Sequence, residues 1–231
     1  SGKDVVWVPT PQALVDKMLD MAQVTPKDFL MDLGSGDGVT VITAAKRGVK
    51  ALGIEYNPDM VELARKNATA AGVTSFANFE KADLFETDFS KATVITMFLL
   101  PSINMRLRPT LLALKPGTRI VANTFNMEDW APDRSETIPS CERWCTALLW
   151  IVPAKVQGSW RAGRDTVTIT QQFQKITGTF GSVPIVNGAL RGEEISFDAG
   201  SAHYTGRVNG NQMSGTYTAD GKQAGWTATR Q

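Results

Sequence analysis

The sequence contains few of the residues that most often build metal centres and nucleophilic active sites. Among 231 residues there is one histidine, His203, and there are two cysteines, Cys141 and Cys145. Two cysteines cannot supply the four ligands of a structural zinc site, so no metal site is expected. One histidine late in the chain excludes a Ser-His-Asp triad near the N-terminal half, unless His203 folds back onto it. The spacing of the cysteines permits a small disulfide loop, but reduced thiols are the favoured interpretation.

Long apolar segments and an excess of one charge are also missing. No apolar run reaches 18 residues, so no transmembrane helix is expected. The chain has 24 basic and 23 acidic residues and a formal net charge of +1. This balance provides no electrostatic argument for a nucleic-acid partner.

The most informative pattern present is a glycine-rich turn at residues 32–38, DLGSGDG. It follows an apolar run typical of a buried strand, residues 29–31, and precedes a predicted helix over residues 39–45. Glycines accept positive φ and let a ligand approach the backbone, and the helix start offers free N–H groups. A dinucleotide fingerprint would need a third glycine where Val39 stands. The turn therefore predicts a site for a different ligand, with an ordinary tight turn as the alternative.

Acidic residues follow the next two predicted strands. The strand at residues 51–54 ends at Glu55, and the strand at residues 76–79 leads to Asp83. A carboxylate at the end of the second strand can accept hydrogen bonds from both hydroxyls of a ribose. Each acid alone is typical of a solvated surface, but acids at successive strand ends favour a nucleoside site.

The D-x-G-x-G-x-G pattern with these two acids resembles the class I S-adenosylmethionine (AdoMet) methyltransferases. The resemblance implies an α/β fold with a doubly wound, mostly parallel, seven-stranded Rossmann-like sheet. It implies that the glycine loop contacts the methionine and ribose moieties, that Asp83 bonds the adenine amine and that the next residue supports the ring. The cofactor-binding residues predicted in this way are Asp32, Gly34, Ser35, Gly36, Gly38, Glu55, Tyr56, Asp83 and Leu84.

Two further segments resemble a narrower group, the small protein-lysine methyltransferases and their bacterial relatives. These segments are WVPTP at residues 7–11 and FLLP at residues 98–101, within a resemblance that covers roughly residues 5–153. It implies methyl transfer to a protein lysine amine. Acceptor contacts are predicted at Trp7, Thr10, Leu99, Pro101 and Asn104.

The sequence is compatible with several functions. The N-P-P-Y type motif of methyltransferases that act on DNA bases or glutamine is absent, so no nucleic-acid partner is expected. No catalytic residue is assigned, because methyl transfer often depends on orientation rather than on an acid or base. A small-molecule methyltransferase and a non-catalytic binding module on the same fold are the alternatives.

The pattern changes along the second half of the chain. Residues 136–138 and 147–152 predict two strands without a long helix between them, which resembles the last two strands of class I methyltransferases. Glycine, threonine, serine and asparagine dominate from about residue 155, and Asn-Gly or Asp-Gly pairs at 187, 209 and 220 predict hairpin turns. We therefore expect a methyltransferase domain at residues 1–154 and a β-rich domain at residues 155–231, a meander that is closed or sandwich-like.

The expected location of the protein is the cytoplasm, where AdoMet is made and kept. The chain begins Ser1-Gly2 without a methionine. Export is the alternative if a leader was removed ahead of this point, and the polar tail would suit an exported protein.

Overall fold

The computed structural model describes residues 7–231, which form two compact units. One unit comprises the described residues up to Leu114 together with Thr118–Ile151. The other comprises Lys115–Gly117 and Val152–Gln231. The sequence predicts a boundary after residue 154. No helix of the described chain is both long and apolar enough to cross a membrane.

The first unit is an α/β unit built on one seven-stranded sheet. The strands lie in the order β3-β2-β1-β4-β5-β7-β6. Strand β7 runs antiparallel to both β5 and β6, and the other neighbouring strands are parallel. This confirms the Rossmann-like methyltransferase fold and the antiparallel edge. Its elements are α1 (Gln12–Met21), β1 (Phe29–Leu33), α2 (Val39–Lys46), β2 (Lys50–Glu55), α3 (Pro58–Ala70), β3 (Ala77–Lys81), β4 (Val94–Met97), α4 (Pro101–Leu112), β5 (Arg119–Asn123), β6 (Arg134–Thr137) and β7 (Thr146–Ile151).

Local sequence explains where these elements begin and why the central strands are apolar. At the start of α3, the Asn57 side chain accepts the Asp59 N–H at 2.9 Å, and Pro58 occupies the first helical position. Strand β4 is buried along its whole length, as expected for a strand inside a parallel sheet with both faces covered. Because the chain runs outward from β1 in both directions, a crevice forms beyond the carboxyl ends of β1 and β4.

The second unit is a closed antiparallel barrel of eight strands. Each strand pairs with the next along the chain, and β15 pairs with β8 to close the barrel. Alternate residues fill its interior, which includes the buried Trp160, Phe197 and Trp226. The strands are β8 (Gly158–Ala162), β9 (Asp165–Gln172), β10 (Lys175–Phe180), β11 (Val183–Arg191), β12 (Glu194–Ala199), β13 (Ala202–Asn209), β14 (Gln212–Ala219) and β15 (Lys222–Arg230).

The prediction of a hairpin turn at Asn187-Gly188 is wrong. These residues lie inside β11, where the pairing with β12 shifts register between Val186 and Ala189. Asn187 has φ 52°, and a β-bulge uses the same left-handed backbone as a tight turn. By contrast, Asp220 and Gly221 form the two-residue connection between β14 and β15 as predicted, both with positive φ.

The expectation of reduced thiols is also wrong, because Cys141 and Cys145 form a disulfide. Their Cα atoms lie 5.8 Å apart, within the range that a disulfide requires. The two cysteines lie in the irregular segment between β6 and β7, which folds back within a few residues. Spacing along the chain cannot establish that fold-back, since the same spacing in an extended segment would hold the cysteines too far apart.

Candidate active site

A cavity of about 560 Å³ opens at the carboxyl edge of the sheet in the first unit. Residues at the ends of all five parallel strands contribute to its lining, together with residues that precede α1. Ligands of open α/β sheets bind at this position, where the strand order reverses. The sequence-predicted site therefore lies where the topology independently places a binding crevice.

The glycine loop runs from the end of β1 to the start of α2. Gly34, Gly36 and Gly38 have φ values of 77°, 52° and 87°, a region that side chains rarely adopt. The N–H groups of Gly34 and Ser35 donate to the Ile54 carbonyl oxygen at 2.9 and 3.1 Å, which fastens the loop to β2. Gly34 and Ser35 line the cavity, whereas Gly36 and Gly38 do not.

The glycines also make room for side chains behind the loop. A Cβ atom on Gly36 would lie 2.2 Å from Nε1 of Trp7, so the Trp7 ring lies against this part of the backbone. A Cβ atom on Gly38 would lie 2.7 Å from the Phe79 ring. These glycines therefore serve the packing of the loop, and not only its conformation.

Asp32 is a buried carboxyl group on the cavity wall. It is 6% exposed, and its Oδ1 accepts a hydrogen bond from the Thr96 hydroxyl at 2.7 Å. Burial raises the pKa of Asp32 to about 7, while the Thr96 hydrogen bond opposes the rise and the nearby charges of Glu55 and Asp37 add to it. A positively charged ligand would favour the ionised form of this group.

Glu55 ends β2 and links two backbone segments. Its Oε2 accepts the Gly36 N–H at 3.0 Å, and its Oε1 accepts the Asn57 N–H at 2.9 Å. Each carboxylate oxygen accepts more than one hydrogen bond, so capacity remains for a ligand hydroxyl. Tyr56, the next residue, is exposed and lines the same cavity.

The segment after β3 forms the next part of the cavity wall. Asp83 Oδ1 accepts the Phe85 N–H at 2.9 Å, and Asp83, Leu84 and Phe85 all line the cavity. The Arg106 guanidinium lies 3.7 Å from the centroid of the Phe85 ring. Phe85 and Arg106 are absent from the sequence prediction, because neither belongs to the motif that carried it.

The residues of this cavity fit AdoMet. Four carboxylates and one arginine belong to its described lining, so the lining is acidic, and AdoMet carries a positively charged sulfur and an ammonium group. Ser35 Oγ is buried and has no hydrogen-bond partner among the described residues, which provides an unused polar group beside the glycine loop. The predicted cofactor residues that line the cavity are Asp32, Gly34, Ser35, Glu55, Tyr56, Asp83 and Leu84.

The five predicted acceptor residues do not all reach the cavity. Trp7, Thr10 and Leu99 line it. Pro101 is exposed in the first turn of α4 and is not part of the lining. Asn104 is fully buried away from the lining, and its Nδ2 donates to the carbonyl oxygens of Phe125 and Asn126 at 3.1 and 3.3 Å. Its observed contacts hold the loop after β5.

Sequence reasoning misses most of the aromatic side of the cavity. Phe98 follows β4, Phe125 follows β5 and Trp144 precedes β7, and all three line the cavity. Phe98 belongs to one of the family-like segments but is not among the predicted contacts. Large aromatic residues next to predicted strand ends are the signal that could have found them. Among the described residues, no three His, Cys, Asp or Glu side chains are grouped so that they could hold a metal ion.

Comparison with known proteins agrees with this description. The model of the ANTKMT methyltransferase domain matches residues 32–134. A protein-lysine N-methyltransferase of Saccharolobus islandicus is 46% identical over 131 residues, which cover 55% of this chain and 81% of that protein. The adenine nucleotide translocase lysine N-methyltransferase of Mus musculus is 33% identical over 130 residues, 55% of this chain and 56% of that protein. The chain thus spans little more than half the length of the mouse relative.

A solved structure gives the same result for the fold and the cofactor. The crystal structure of an RNA methyltransferase from Salinibacter ruber in complex with S-adenosyl-L-homocysteine has a TM-score of 0.61 and 48% sequence identity. The match covers 64% of this chain and 96% of that one. Fold and site define a class I AdoMet-dependent methyltransferase. Within that class, the chain belongs to the family of the ANTKMT methyltransferase domain.

Proposed function

We propose that this enzyme transfers the methyl group of AdoMet to the side-chain amine of a lysine in a protein. The observation that carries the proposal is the pairing of two surfaces in one cavity. One surface is acidic and lies over β1, β2 and β3, and the other is aromatic and lies beyond β4 and β5. An aromatic surface suits a long alkyl chain that ends in an amine. The name of the Saccharolobus islandicus relative supports the same acceptor.

The residues of the chain contribute binding, orientation and exclusion of water. When bound, AdoMet supplies an electrophilic methyl carbon on a positively charged sulfur. Glu55 and Asp83 are placed to hold the nucleoside, and the glycine loop with Asp32 is placed to hold the methionine end. A lysine amine must arrive without its extra proton, and burial against apolar side chains lowers the pKa of an amine. A bond forms between the neutral amine nitrogen and the methyl carbon as the carbon–sulfur bond breaks, so the expected products are a methylammonium side chain, which carries the positive charge, and S-adenosylhomocysteine.

RNA methylation is the second candidate, because the Salinibacter ruber protein of similar structure is named as an RNA methyltransferase. A site for an RNA backbone usually presents clustered lysine and arginine side chains to the phosphates. Among the described residues that line this cavity, Arg106 is the only basic one, and it lies over the Phe85 ring. The formal net charge of +1 adds no general attraction for RNA. These observations favour a protein acceptor.

Labelling with methyl-tritiated AdoMet tests the proposal. Purified protein is incubated with a cell extract, and the labelled material is digested with protease or with ribonuclease. We expect protease-sensitive label that amino-acid hydrolysis assigns to methyllysine. Ribonuclease-sensitive label would favour the RNA alternative, and label in small molecules would favour a metabolite acceptor. Glu55→Ala serves as the control, which should incorporate less label than the wild-type protein when AdoMet is supplied near the wild-type Kd.

We also propose a cytoplasmic location, because the cosubstrate is made there. The Cys141–Cys145 disulfide favours an oxidising compartment instead, since disulfides are rare in reducing cytoplasm. Fractionation of cells together with alkylation of free thiols tests the proposal. A protein found only outside the cytoplasm would contradict it.

A further inference from the structure

Three aromatic side chains from different parts of the first unit meet at one side of the cavity. Phe98 and Phe125 stack with ring centroids 5.9 Å apart and an interplanar angle of 17°. Trp144 lies 5.9 Å from Phe98 and 5.1 Å from Phe125, tilted by 57° and 48°. We call Phe98, Phe125 and Trp144 the aromatic cluster.

None of the three rings of the aromatic cluster is fully buried. Phe98 and Phe125 are only partly buried, and Trp144 is 37% exposed. All three line the cavity. Exposed apolar groups of this size commonly mark binding sites, and aromatic faces attract cations through their negative π surface.

The loop that carries Trp144 is held by two features. The Cys141–Cys145 disulfide brackets Trp144 within a short closed loop. Trp144 and Ser140 both have φ 58°, a left-handed conformation that is uncommon for residues with a side chain. A bulky residue keeps such a backbone only where its surroundings enforce it, and this occurs preferentially at functional sites. Cross-linking the chain on both sides of Trp144 restricts the conformations available to this loop.

The charge of the cavity identifies the kind of ligand. Four carboxylates line the same cavity, and Arg106, the only basic residue in its described lining, lies over Phe85 rather than over the aromatic cluster. An acidic cavity lined by partly exposed aromatic side chains is complementary to a cation attached to an apolar stem. A protonated lysine side chain has this chemistry when it enters the cavity and loses its proton before methyl transfer, and its methylated forms keep the positive charge on a larger apolar surface.

We propose that the aromatic cluster is the acceptor-binding subsite, that it holds the alkyl-ammonium side chain of lysine and its methylated products, and that the disulfide acts as a positioning element for Trp144. This inference rests on the proposed function, since it assumes a lysine acceptor. It assigns the specificity for the acceptor to the β4–β5–β7 side of the cavity. The cofactor side should then respond little to changes in the cluster.

The test uses two probes that differ in charge alone. One is Nα-acetyl-Nε-trimethyllysine amide, and the other is its neutral analogue with a tert-butyl group in place of the trimethylammonium. Binding of each to the full chain saturated with S-adenosylhomocysteine is measured by calorimetry. We expect the wild-type protein to bind the cation about threefold to thirtyfold more tightly. Equal binding of the two probes would overturn the proposal.

Variants then locate this preference. Trp144→Ala is expected to abolish the preference for the cationic probe, and Trp144→Phe should keep most of that preference. The double variant Cys141→Ser/Cys145→Ser should reduce the preference severalfold. The affinity for S-adenosylhomocysteine should stay within about twofold of the wild-type value in all three. A Trp144→Ala protein that keeps the preference, or that loses cofactor affinity to the same extent, would refute an acceptor-specific role. If Trp144→Ala fails to fold by circular dichroism, Phe125→Leu replaces it with the same expected result.

The two proposals fail in different ways. If tritium labelling yields methyllysine but the probes bind equally, the aromatic cluster is not the lysine subsite and the proposed function stands. If labelling yields only methylated RNA, the proposed function fails and the inference fails with it.

Discussion

The two sides of the cavity solve different problems of recognition. The β1–β2–β3 side carries all four carboxylates of the described lining, and Asp32 and Glu55 are already hydrogen-bonded within the fold. The β4–β5–β7 side consists of partly exposed rings with no shared sequence motif. A cosubstrate with fixed polar groups can be bound by polar groups at fixed positions, whereas a flexible alkyl chain is bound by an apolar surface of complementary shape. A sequence motif therefore marks the binding site of the cosubstrate, whereas the acceptor side of the cavity is recognisable only from tertiary packing.

A change of pH is expected to have the largest effect on stability. It should act through Asp32, on the β1–β2–β3 side of the cavity. The pKa of Asp32 is about 7 in the folded protein and 3.8 in its ordinary state. Between about pH 4 and pH 7 the native state therefore keeps a proton that the unfolded chain has lost, so stability falls as pH rises. The total change is on the order of 4 kcal/mol and is complete above the folded pKa. Urea unfolding of the cofactor-free protein at pH 4 and pH 8 measures most of this change.

Asp32→Asn provides the control for that series. The amide cannot ionise, so the contribution of this residue to the slope of stability against pH should vanish. AdoMet affinity of the wild-type protein should rise with pH through about 7, because a cationic ligand favours the ionised carboxylate. An identical slope in Asp32→Asn would contradict the assignment of the pKa to this residue.

Removal of the Glu55 carboxylate is expected to weaken cofactor binding without changing the affinity for the acceptor probes. Glu55→Ala deletes the group that accepts the Gly36 and Asn57 N–H groups. It should weaken the free energy of AdoMet binding by roughly 1–3 kcal/mol, which raises the Kd about fivefold to 150-fold. Glu55→Gln keeps one accepting oxygen and should lose less. Calorimetry with AdoMet measures both, and an unchanged Kd in Glu55→Ala would break the comparison between the two sides.

A methyl group at position 36 tests whether the glycine loop needs its space. Gly36→Ala places a Cβ 2.2 Å from Trp7 Nε1 on a backbone with φ 52°. The substitution should lower the free energy of unfolding by about 1–2 kcal/mol and weaken AdoMet binding about tenfold. Gly72→Ala is a matched control, because Gly72 has φ 68° but no neighbour within 4 Å of the added atom. The control should lose stability and keep its AdoMet affinity. Equal AdoMet affinities in Gly36→Ala and Gly72→Ala would show that the added methyl group acts only through backbone strain.

The smallest expected effect comes from the hydroxyl that supports Asp32. Thr96→Val removes the 2.7 Å hydrogen bond to Oδ1, which should raise the pKa of Asp32 further and cost about 1 kcal/mol in AdoMet affinity at neutral pH. Thr118→Val, at another buried threonine, is the control. The midpoint of AdoMet binding against pH should move upward in Thr96→Val alone. A downward shift would contradict the role given to this hydroxyl.

Local sequence predicts the barrel strands less well than the α/β strands, for a physical reason. The parallel strands β1, β2 and β4 have mostly apolar central residues and lie between helix signals, so they can be recognised from composition. The sequence does not predict β8 and β11, and β11 contains Pro184 and the Asn187-Gly188 pair that indicate a turn. Whether such a pair makes a turn or a bulge depends on the strand that pairs with it.

The glycine loop and the strand-end carboxylates are local patterns that can be recognised in the sequence, and their resemblance to the class I methyltransferases predicted the fold, the cosubstrate and the place of Glu55 and Asp83 in the site. The folded chain alone shows that Phe98, Phe125 and Trp144 meet, that Cys141 reaches Cys145 and that Asn104 holds a loop away from the cavity lining. Those contacts join segments whose proximity depends on strand order and loop path, and no local preference specifies either one.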